Sequence, residues 1–353
     1  MTTKRDIIED YLLKTFKNVR PFHEKESVLL EKYKDGSFGV SSIGFSLYSN
    51  GHNIRGKSSQ YPFGLIYEDG ETLFSLGYFR KELSRQNEDG YLFIAVPKGK
   101  NIIEKIKVIV DTVLHNPDLP CKGVYVRFLD LKHYLELLQE GFLPIKESPW
   151  HPEAAEEDES YTNSIIDIRK LIETKKKARN AYNRFQHFLE RNNLTYTLVP
   201  LSESNLKDGK TIIENHFWML RKQGKDIGST PEDHYNSLDK NLLKIKSVIS
   251  YIGYLGNKPV SVFVGERLSP RRFGLYTPFT LREKEYVLKD FNIETEKGFS
   301  AISTYSYLEF FKVLLTKEIT EVHLGGSELA DLNKFKRQLG AKNDPTYWAV
   351  LMK

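Results

Sequence analysis

The sequence predicts an α/β (α+β) protein of two tandem domains, each a mixed, mostly antiparallel sheet flanked by helices. Three observations carry this expectation. At 353 residues the chain exceeds the usual size of one domain. Its hydrophobic share of 40% and aromatic share of 12% suffice to fill two cores. One order of elements, hairpin, strand, helix, strand, helix, strand, occurs twice, from Gly64 and again from Val248, with negligible residue identity between the copies.

In chain order, Ile7–Asn18 has the apolar stripe of a short helix, and Phe38–Leu47 alternates loosely, as a strand does. Leu65–Tyr67 and Thr72–Phe79 flank Asp69-Gly70, whose glycine supplies the positive φ of a tight turn, and read as a hairpin. Tyr91–Val96 is the third strand, Asn101–His115 a helix with Asn101 as cap, Val124–Leu129 a strand, Leu131–Gln139 a helix and Phe142–Lys146 a strand. The acidic run at Glu156–Glu159, after Pro149 and Pro152, reads as a solvated linker, so the domains are expected at 1–155 and 156–353. A long helix, Asp167–Asn192, opens the second. Val248–Tyr254 and Pro259–Glu266 flank Gly256-Asn257 as its hairpin. Phe273–Pro278, helix Phe299–Leu315, strand Glu321–Leu324, helix Glu328–Leu339 and strand Thr346–Leu351 complete the order. Trp218, Trp348 and Tyr251 are assigned to the core.

Composition excludes several classes of function. Cys121 is the only cysteine, so neither an internal disulfide nor a thiolate metal cluster can form, a usage that suits a reducing cytoplasm. The nine histidines include no His-x-x-x-His or His-Glu-x-x-His pair, so no metal is expected. A serine-hydrolase elbow and a Walker loop are missing. No window approaches the roughly 18–20 apolar residues of a membrane span, and the N-terminus lacks the apolar run of a secretory leader. The net charge of +5 permits anionic partners without demanding them.

Chemistry is expected in three places. The long helix carries Lys175, Lys176, Lys177, Arg179 and Arg184, a positive ridge suited to the phosphates of RNA. Lys98-Gly99 and Lys297-Gly298-Phe299-Ser300 stand at the starts of equivalent helices. There a helix N-terminus, a glycine and a lysine could hold the phosphates of an acyl donor. The segment from His323 to Gly340 places Gly325, Gly326 and Ser327 at a strand end. A helix follows whose apolar face, Leu329, Leu332, Phe335 and Leu339, runs beside Lys336 and Lys334. A lysine lying along apolar surface can aim its charge at a carboxylate, a phosphate or a developing oxyanion. His323, with a side chain that ordinarily titrates near neutrality, is either a general base or a buried strand histidine.

The Gly-Gly-Ser…Leu-x-x-Phe-Lys…Gly run at 325–340 resembles the C-terminal part of the Fem-type aminoacyltransferases and the related catalytic domain of phosphatidylglycerol lysyltransferases. Arg179, Asn180, Asn183, Arg184 and Phe185, followed by Tyr196–Pro200, look like the opening of the same module. The likeness covers about 161–353, and the first half matches in architecture only. It implies two GNAT-like folds and transfer of an acyl group, often from aminoacyl-tRNA, to an amine or hydroxyl of a small-molecule or peptide acceptor. It also implies that Lys336 lies near the acyl or acceptor site, with Glu266, Tyr276 and Asp331 lining the cleft of the second half. The acetyl-CoA signature Arg/Gln-x-x-Gly-x-Gly/Ala is absent; Thr295–Ser300 only echoes it. Aminoacyl-tRNA is therefore the first donor and acyl-CoA, as co-substrate, the second. No other cofactor is expected. The reading from another class is a non-catalytic RNA- or peptide-binding protein on the same fold.

Overall fold

Two runs of strand-forming residues divide the chain in the computed structural model, which describes residues 3–23, 27–49, 64–79, 89–144, 160–174, 176–224, 231–325 and 330–353. One unit gathers the chain up to Asn163 together with Asp344–Lys353; the other takes Ser164–Gly325 and Ala330–Asn343. The second range expected from the sequence, 156–353, thus yields its last strand to the first unit.

In the first unit the sheet contains β1 (Val19–Pro21), β2 (Leu65–Glu68), β3 (Thr72–Phe79), β4 (Gly90–Gly99) and β5 (Cys121–Leu129). The C-terminal strand Lys342–Met352 pairs antiparallel with β5, and a short strand, Leu143–Pro144, pairs with it in turn. β4 and β5 are parallel, as a connection through a helix requires, and the other pairs are antiparallel. Helices α1 (Lys4–Thr15), α4 (Ile102–Leu114) and α5 (Leu131–Gln139) bury Ile8, Leu12, Ile106, Ile109, Val110, Val113 and Leu137 against one face of this sheet. Thr3 and Asp6 close a reciprocal capping box on α1, and Asp130 caps α5 by accepting from His133 N at 2.9 Å. Between α1 and β2 come α2 (Ser27–Tyr33) and α3 (Ser42–Ser49).

α3 corrects the strand expected at Phe38–Leu47. Ser41 accepts from Gly44 N at 2.9 Å and its carbonyl from Phe45 N at 2.8 Å, which nucleates a helical turn. Ser41–Phe45 are buried on every side, so no polar face marks the helical period. Asn101 occupies the cap position of α4, but in the left-handed region (φ 52°) and without a side-chain bond.

The second unit repeats the plan. Numbering the Leu143–Pro144 strand β6, its sheet order is β7 (Ser160–Asp167), β12 (Glu321–His323), β11 (Arg272–Thr280), β10 (Lys258–Arg267), β9 (Val248–Leu255), β8 (Tyr196–Pro200), and the C-terminal strand is β13. β11 and β12 run parallel, like β4 and β5. Under one face lie α6 (Ile168–Thr174), α7 (Lys176–Arg191) and α11 (Ile302–Leu315). Their Leu171, Ala178, Tyr307, Phe310, Phe311 and Leu314 pack with Phe263, Phe273, Leu275 and Val322. Phe263 and Phe310 stack with centroids 4.8 Å apart. On the other face sit α8 (Leu206–Lys222), α9 (Pro231–Tyr235) and, between β11 and α11, the short α10 (Lys284–Val287). Phe217 of α8 packs on Phe279 of β11 at 5.8 Å. α12 (Ala330–Gln338) follows β12.

The single helix expected over Asp167–Asn192 is two, α6 and α7, and β7 precedes them as a strand without a counterpart in the sequence reading; α8 likewise went unread. α7 ends in a clasp. Asn192 Nδ2 donates to Phe188 O (2.8 Å) and Thr295 O (2.9 Å), while its Oδ1 accepts from Glu294 N (2.8 Å) and Thr295 N (3.1 Å). One buried amide thereby holds the loop before α11 against the end of α7. Removing it strands two amide donors, at a cost of about 1–3 kcal/mol for each buried unpaired group. Asn192→Ala is expected to lower unfolding free energy by about 2–4 kcal/mol in chemical denaturation. A loss below about 0.5 kcal/mol, the usual range of inert surface changes, would contradict the clasp.

Candidate functional site

The parallel strands at the centre of the second unit separate early. The β11–β12 ladder comprises Arg272–Glu321, Phe273–Val322 and Gly274–His323 and then stops, although β11 continues to Thr280. In the first unit the equivalent ladder, β4 with β5, runs from Gly90 to Ala95. The second unit therefore leaves the β12-facing edge of β11 beyond Gly274 without this ladder. A strand edge is a ready template for an extended chain of amides and carbonyls.

β11 is also bulged there. Val264 of β10 pairs with Thr277 and Gly265 with Leu275, so Tyr276 is an extra residue. The bulge keeps Tyr276 and Thr277 on the same face, that of α8 and α9. A Cβ built on Gly274 would lie 2.9 Å from Tyr276 Oη, so the phenol leans back over Gly274. Glu266, Gly274 and His323 pair across three adjacent strands, and residues in one row share a face. By strand spacing Glu266 and His323 are about 10 Å apart at Cα, with the Tyr276 phenol over the glycine between them. All three are buried, Glu266 at 1% exposure and His323 at 0%. Ser247 Oγ donates to Glu266 Oε1 at 3.0 Å.

Burial, with the Arg272 guanidinium second, lowers the His323 pKa to about 4, against a small opposing pull from Glu321. Arg272 Nε and Glu321 Oε2 form their own ion pair at 2.6 Å. His323 is thus a neutral imidazole near pH 7, better suited to hydrogen bonding than to removing a proton. The expected lysine at 336 is 4% exposed, and its ammonium donates to Leu324 O at 3.0 Å and Gly325 O at 2.9 Å. It fixes a positive charge just past the last rung of the β11–β12 ladder. Gly325 takes positive φ (66°), and its carbonyl also accepts from Ser164 N at 3.2 Å.

Other expected residues stand elsewhere. Lys334 is exposed on α12, and Leu332, assigned to its apolar face, is 37% exposed. Gly326, Ser327, Leu329 and Lys175 lie outside the described residues, as does the side chain of Asp331.

The two glycines assigned to phosphate sites have another use. A Cβ on Gly298 (φ 103°) would fall 2.4 Å from Arg184 O, and one on Gly99 (φ 111°) 1.9 Å from Glu71 O. Each glycine admits the protein's own backbone at the spot where a phosphate would approach. Around Gly298 the amides of Lys297, Phe299, Ala301 and Ile302 bond to Thr295 Oγ1, Glu296 O, Gly298 O and Phe299 O, leaving no pair of neighbouring amides to wrap a pyrophosphate. Ser300 and Lys297 are both exposed in this turn, whereas Lys98 pairs with Asp35 at 2.8 Å.

Sequence reading missed a polar group on the same face as Tyr276. Ser237 Oγ bonds Thr277 Oγ1 at 2.7 Å and donates to His234 O at 2.6 Å. His216 and His234 flank the Phe279 ring at 4.8 and 4.9 Å. Burial, then Arg282 and His234, lower the His216 pKa to about 3. These residues are separate in sequence, and only the register of β11 and the fold of α8 and α9 join them. In the first unit the comparable strands carry Tyr91, Phe93, Tyr125 and Trp348, an aromatic cluster with Arg127 stacked 3.9 Å over the Trp348 ring. Among the described residues, no three His, Cys, Asp or Glu converge as metal ligands.

The overall fold is shared with solved structures. Along 95% of this chain and 99% of the other, it superposes on a conserved protein of unknown function from Bacteroides thetaiotaomicron VPI-5482 with a TM-score of 0.62 and 12% identity. FemX matches over 95% and 97% with a TM-score of 0.59 and 9% identity. L-PGS from Bacillus licheniformis matches over 93% and 91%, at 0.52 and 14%. A tandem GNAT protein from the clavulanic acid biosynthesis pathway matches over 95% and 98%, at 0.50 and 6%. The chain has the tandem GNAT fold. No family model and no curated protein sequence matches it. In both copies a strand runs on past its parallel ladder, β4 beyond Ala95 and β11 beyond Gly274, and in the second the buried polar groups Glu266, Tyr276 and His323 stand beside that point.

The two depressed histidines make a pH signature. Unfolded histidines titrate near 6.5, so between that value and about 4 (His323) or 3 (His216) the unfolded chain binds more protons. Stability is whole above about pH 6.5 and falls as pH drops, by about 3 kcal/mol through His323 alone. Unfolding free energy measured from pH 7 to 4 should show this fall, and His323→Gln should flatten it. An unchanged slope in the variant would mean the imidazole is not held neutral.

Proposed function

We propose that the protein is an acyltransferase that moves an aminoacyl group from aminoacyl-tRNA to an amine or hydroxyl acceptor, with its reaction centre in the second unit. The observation that carries this is the opening of the β11–β12 ladder beside Glu266, Tyr276, His323 and Lys336. The acyl donor lies along the β12-facing edge of β11 beyond Gly274, its amide and carbonyl groups bonding to the strand. The acceptor nitrogen attacks the ester carbonyl carbon: a C–N bond forms, the C–O bond to the ribose breaks, and the ribose oxygen leaves with a proton. The acceptor loses one proton in the same exchange.

The residues divide this work. Lys336, buried and fixed on two carbonyls, favours negative charge at the end of β12, where the carbonyl oxygen becomes anionic. Glu266 accepts the proton of the acceptor, and Tyr276, leaning between Glu266 and His323, passes a hydrogen bond along the row. His323 stays neutral and orients that phenol.

Two features favour tRNA over acyl-CoA. Lys176, Lys177, Arg179 and Arg184 are exposed on the outer face of α7 and form no ion pair among the described residues. The loop at Gly298 spends its amides on itself, as described above. Solved proteins of this fold include FemX and L-PGS, whose likeness agrees with this reaction class.

Aminoacyl-tRNA should raise the melting temperature, and acetyl-CoA should not. Lys176→Ala with Lys177→Ala should weaken tRNA binding and make the slope of log K against log salt about 1.4–1.8 shallower. Lys336→Met should abolish transfer while leaving tRNA binding intact. Stabilisation by acetyl-CoA with no response to tRNA would replace the donor; unaltered transfer by Lys336→Met would remove the oxyanion role.

A further inference from the structure

Trp218, expected from the sequence in the core rather than as a stacking platform, is 55% exposed. It lies on the outer face of α8, where Lys207, Lys210, Glu214, Trp218, Arg221 and Lys222 recur at helical spacing and all are exposed. Lys222 Nζ stands 5.2 Å from the indole centroid. Lys210 stands 5.3 Å over the ring of Tyr235, whose hydroxyl donates to the only acidic member of the face, Glu214, at 2.6 Å. None of Lys207, Lys210, Arg221 and Lys222 forms an ion pair among the described residues. The inner face of α8, Ile212, Ile213, Phe217 and Leu220, is buried and fully accounts for the folding of the helix. Nothing in the fold of the unit requires an indole on the wet side.

We propose that this face of α8 binds single-stranded nucleic acid, with one base stacked on Trp218 and the neighbouring phosphates on Lys207, Lys210, Arg221 and Lys222. An exposed aromatic ring set among cations is the chemistry that single strands need: the ring takes the π-face of any base, and the cations follow the backbone. At about 1.5 Å per residue the cations span about 22 Å, the length of a few nucleotides. A lipid surface fits less well. Insertion into a bilayer needs an apolar stripe beside the tryptophan, whereas its neighbours on this face are Lys, Arg, Thr and Glu. α7, with its own cations, packs on the opposite face of the same sheet, so the α8 surface is a separate site and stands whether or not the acyl donor is an RNA.

The test uses the full chain and a short oligoadenylate. Addition of the oligonucleotide should quench tryptophan emission, and Trp218→Phe should remove that quenching while still binding in a labelled-oligonucleotide anisotropy assay. Trp218→Ala should bind about five- to a hundred-fold more weakly. Arg221→Ala with Lys222→Ala should make the salt slope about 1.4 shallower, at about 0.7 per phosphate contact. Because the substituted side chains are exposed, the variants should melt with the wild type and keep its transfer activity. Equal affinity of Trp218→Ala and wild type would overturn the proposal. So would emission changes with phosphatidylglycerol–phosphatidylcholine vesicles but not with oligoadenylate, or a preference for duplex over single strand. Transfer from charged tRNA reports on the donor and oligoadenylate quenching on α8, so the two readings can fail separately.

Discussion

The buried ammonium of Lys336 is the constraint on which the second unit turns. An unpaired charge in a protein interior costs several kcal/mol, so a lysine at 4% exposure must be held by oxygen. It is held by the carbonyls of Leu324 and Gly325, the residues that follow the last rung of the β11–β12 ladder. Both accept from the ammonium on α12, and the Gly325 carbonyl also accepts from Ser164 N of β7. The bonds that satisfy the lysine thus gather at the end of β12, just past the last rung that β12 shares with β11. Structure and proposed chemistry meet at this one interaction, and a bulge follows the parallel ladder in both units, after Ala95 in β4 and at Tyr276 in β11.

Much of the architecture was legible because its signals are local. Asp69-Gly70 and Gly256-Asn257 mark their hairpins through the positive φ of glycine, 92° and 56°. The apolar stripes of α4 and α5 mark helices. What failed were elements whose pattern depends on surroundings. Ser41–Phe45 are buried on all sides, which erases the polar face that would have marked α3 as a helix. β7 follows an acidic run and has no assignment in the sequence reading; only three of its eight residues, Ile165–Asp167, pair with β12. β13 belongs to the first unit although it ends the chain, and no property of Thr346–Leu351 states which sheet will take it.

The site was legible by residue type more than by role. Glu266 and His323 are more than fifty residues apart, yet register places them in one row. Periodicity gives the face of each strand but not the rung it shares with its neighbour. The glycines at 99 and 298 teach the opposite lesson. Glycine beside a helix start signals close approach, and the signal was correct; the approaching group is the carbonyl of Glu71 or Arg184 instead of a phosphate. A sequence can announce that space is needed without saying what fills it.

The two copies of the fold show how a duplicated module can divide its labour. In the first, β4 and β5 stay paired through Ala95, and the face behind them holds Tyr91, Phe93, Tyr125 and Trp348. Stacked rings at such a junction favour cohesion, since each buried aromatic contributes its full apolar area. In the second, the ladder stops after Gly274, and Glu266, Tyr276, Thr277, Ser237 and His323 stand on the corresponding face. Buried polar groups add little net stability and require partners at fixed geometry. That expense is tolerable only in a unit whose other face, around Phe263, Phe273 and Phe310, is packed with aromatic side chains. The hydrophobic layer under α7 and α11 is thus the physical condition for the polar layer above it.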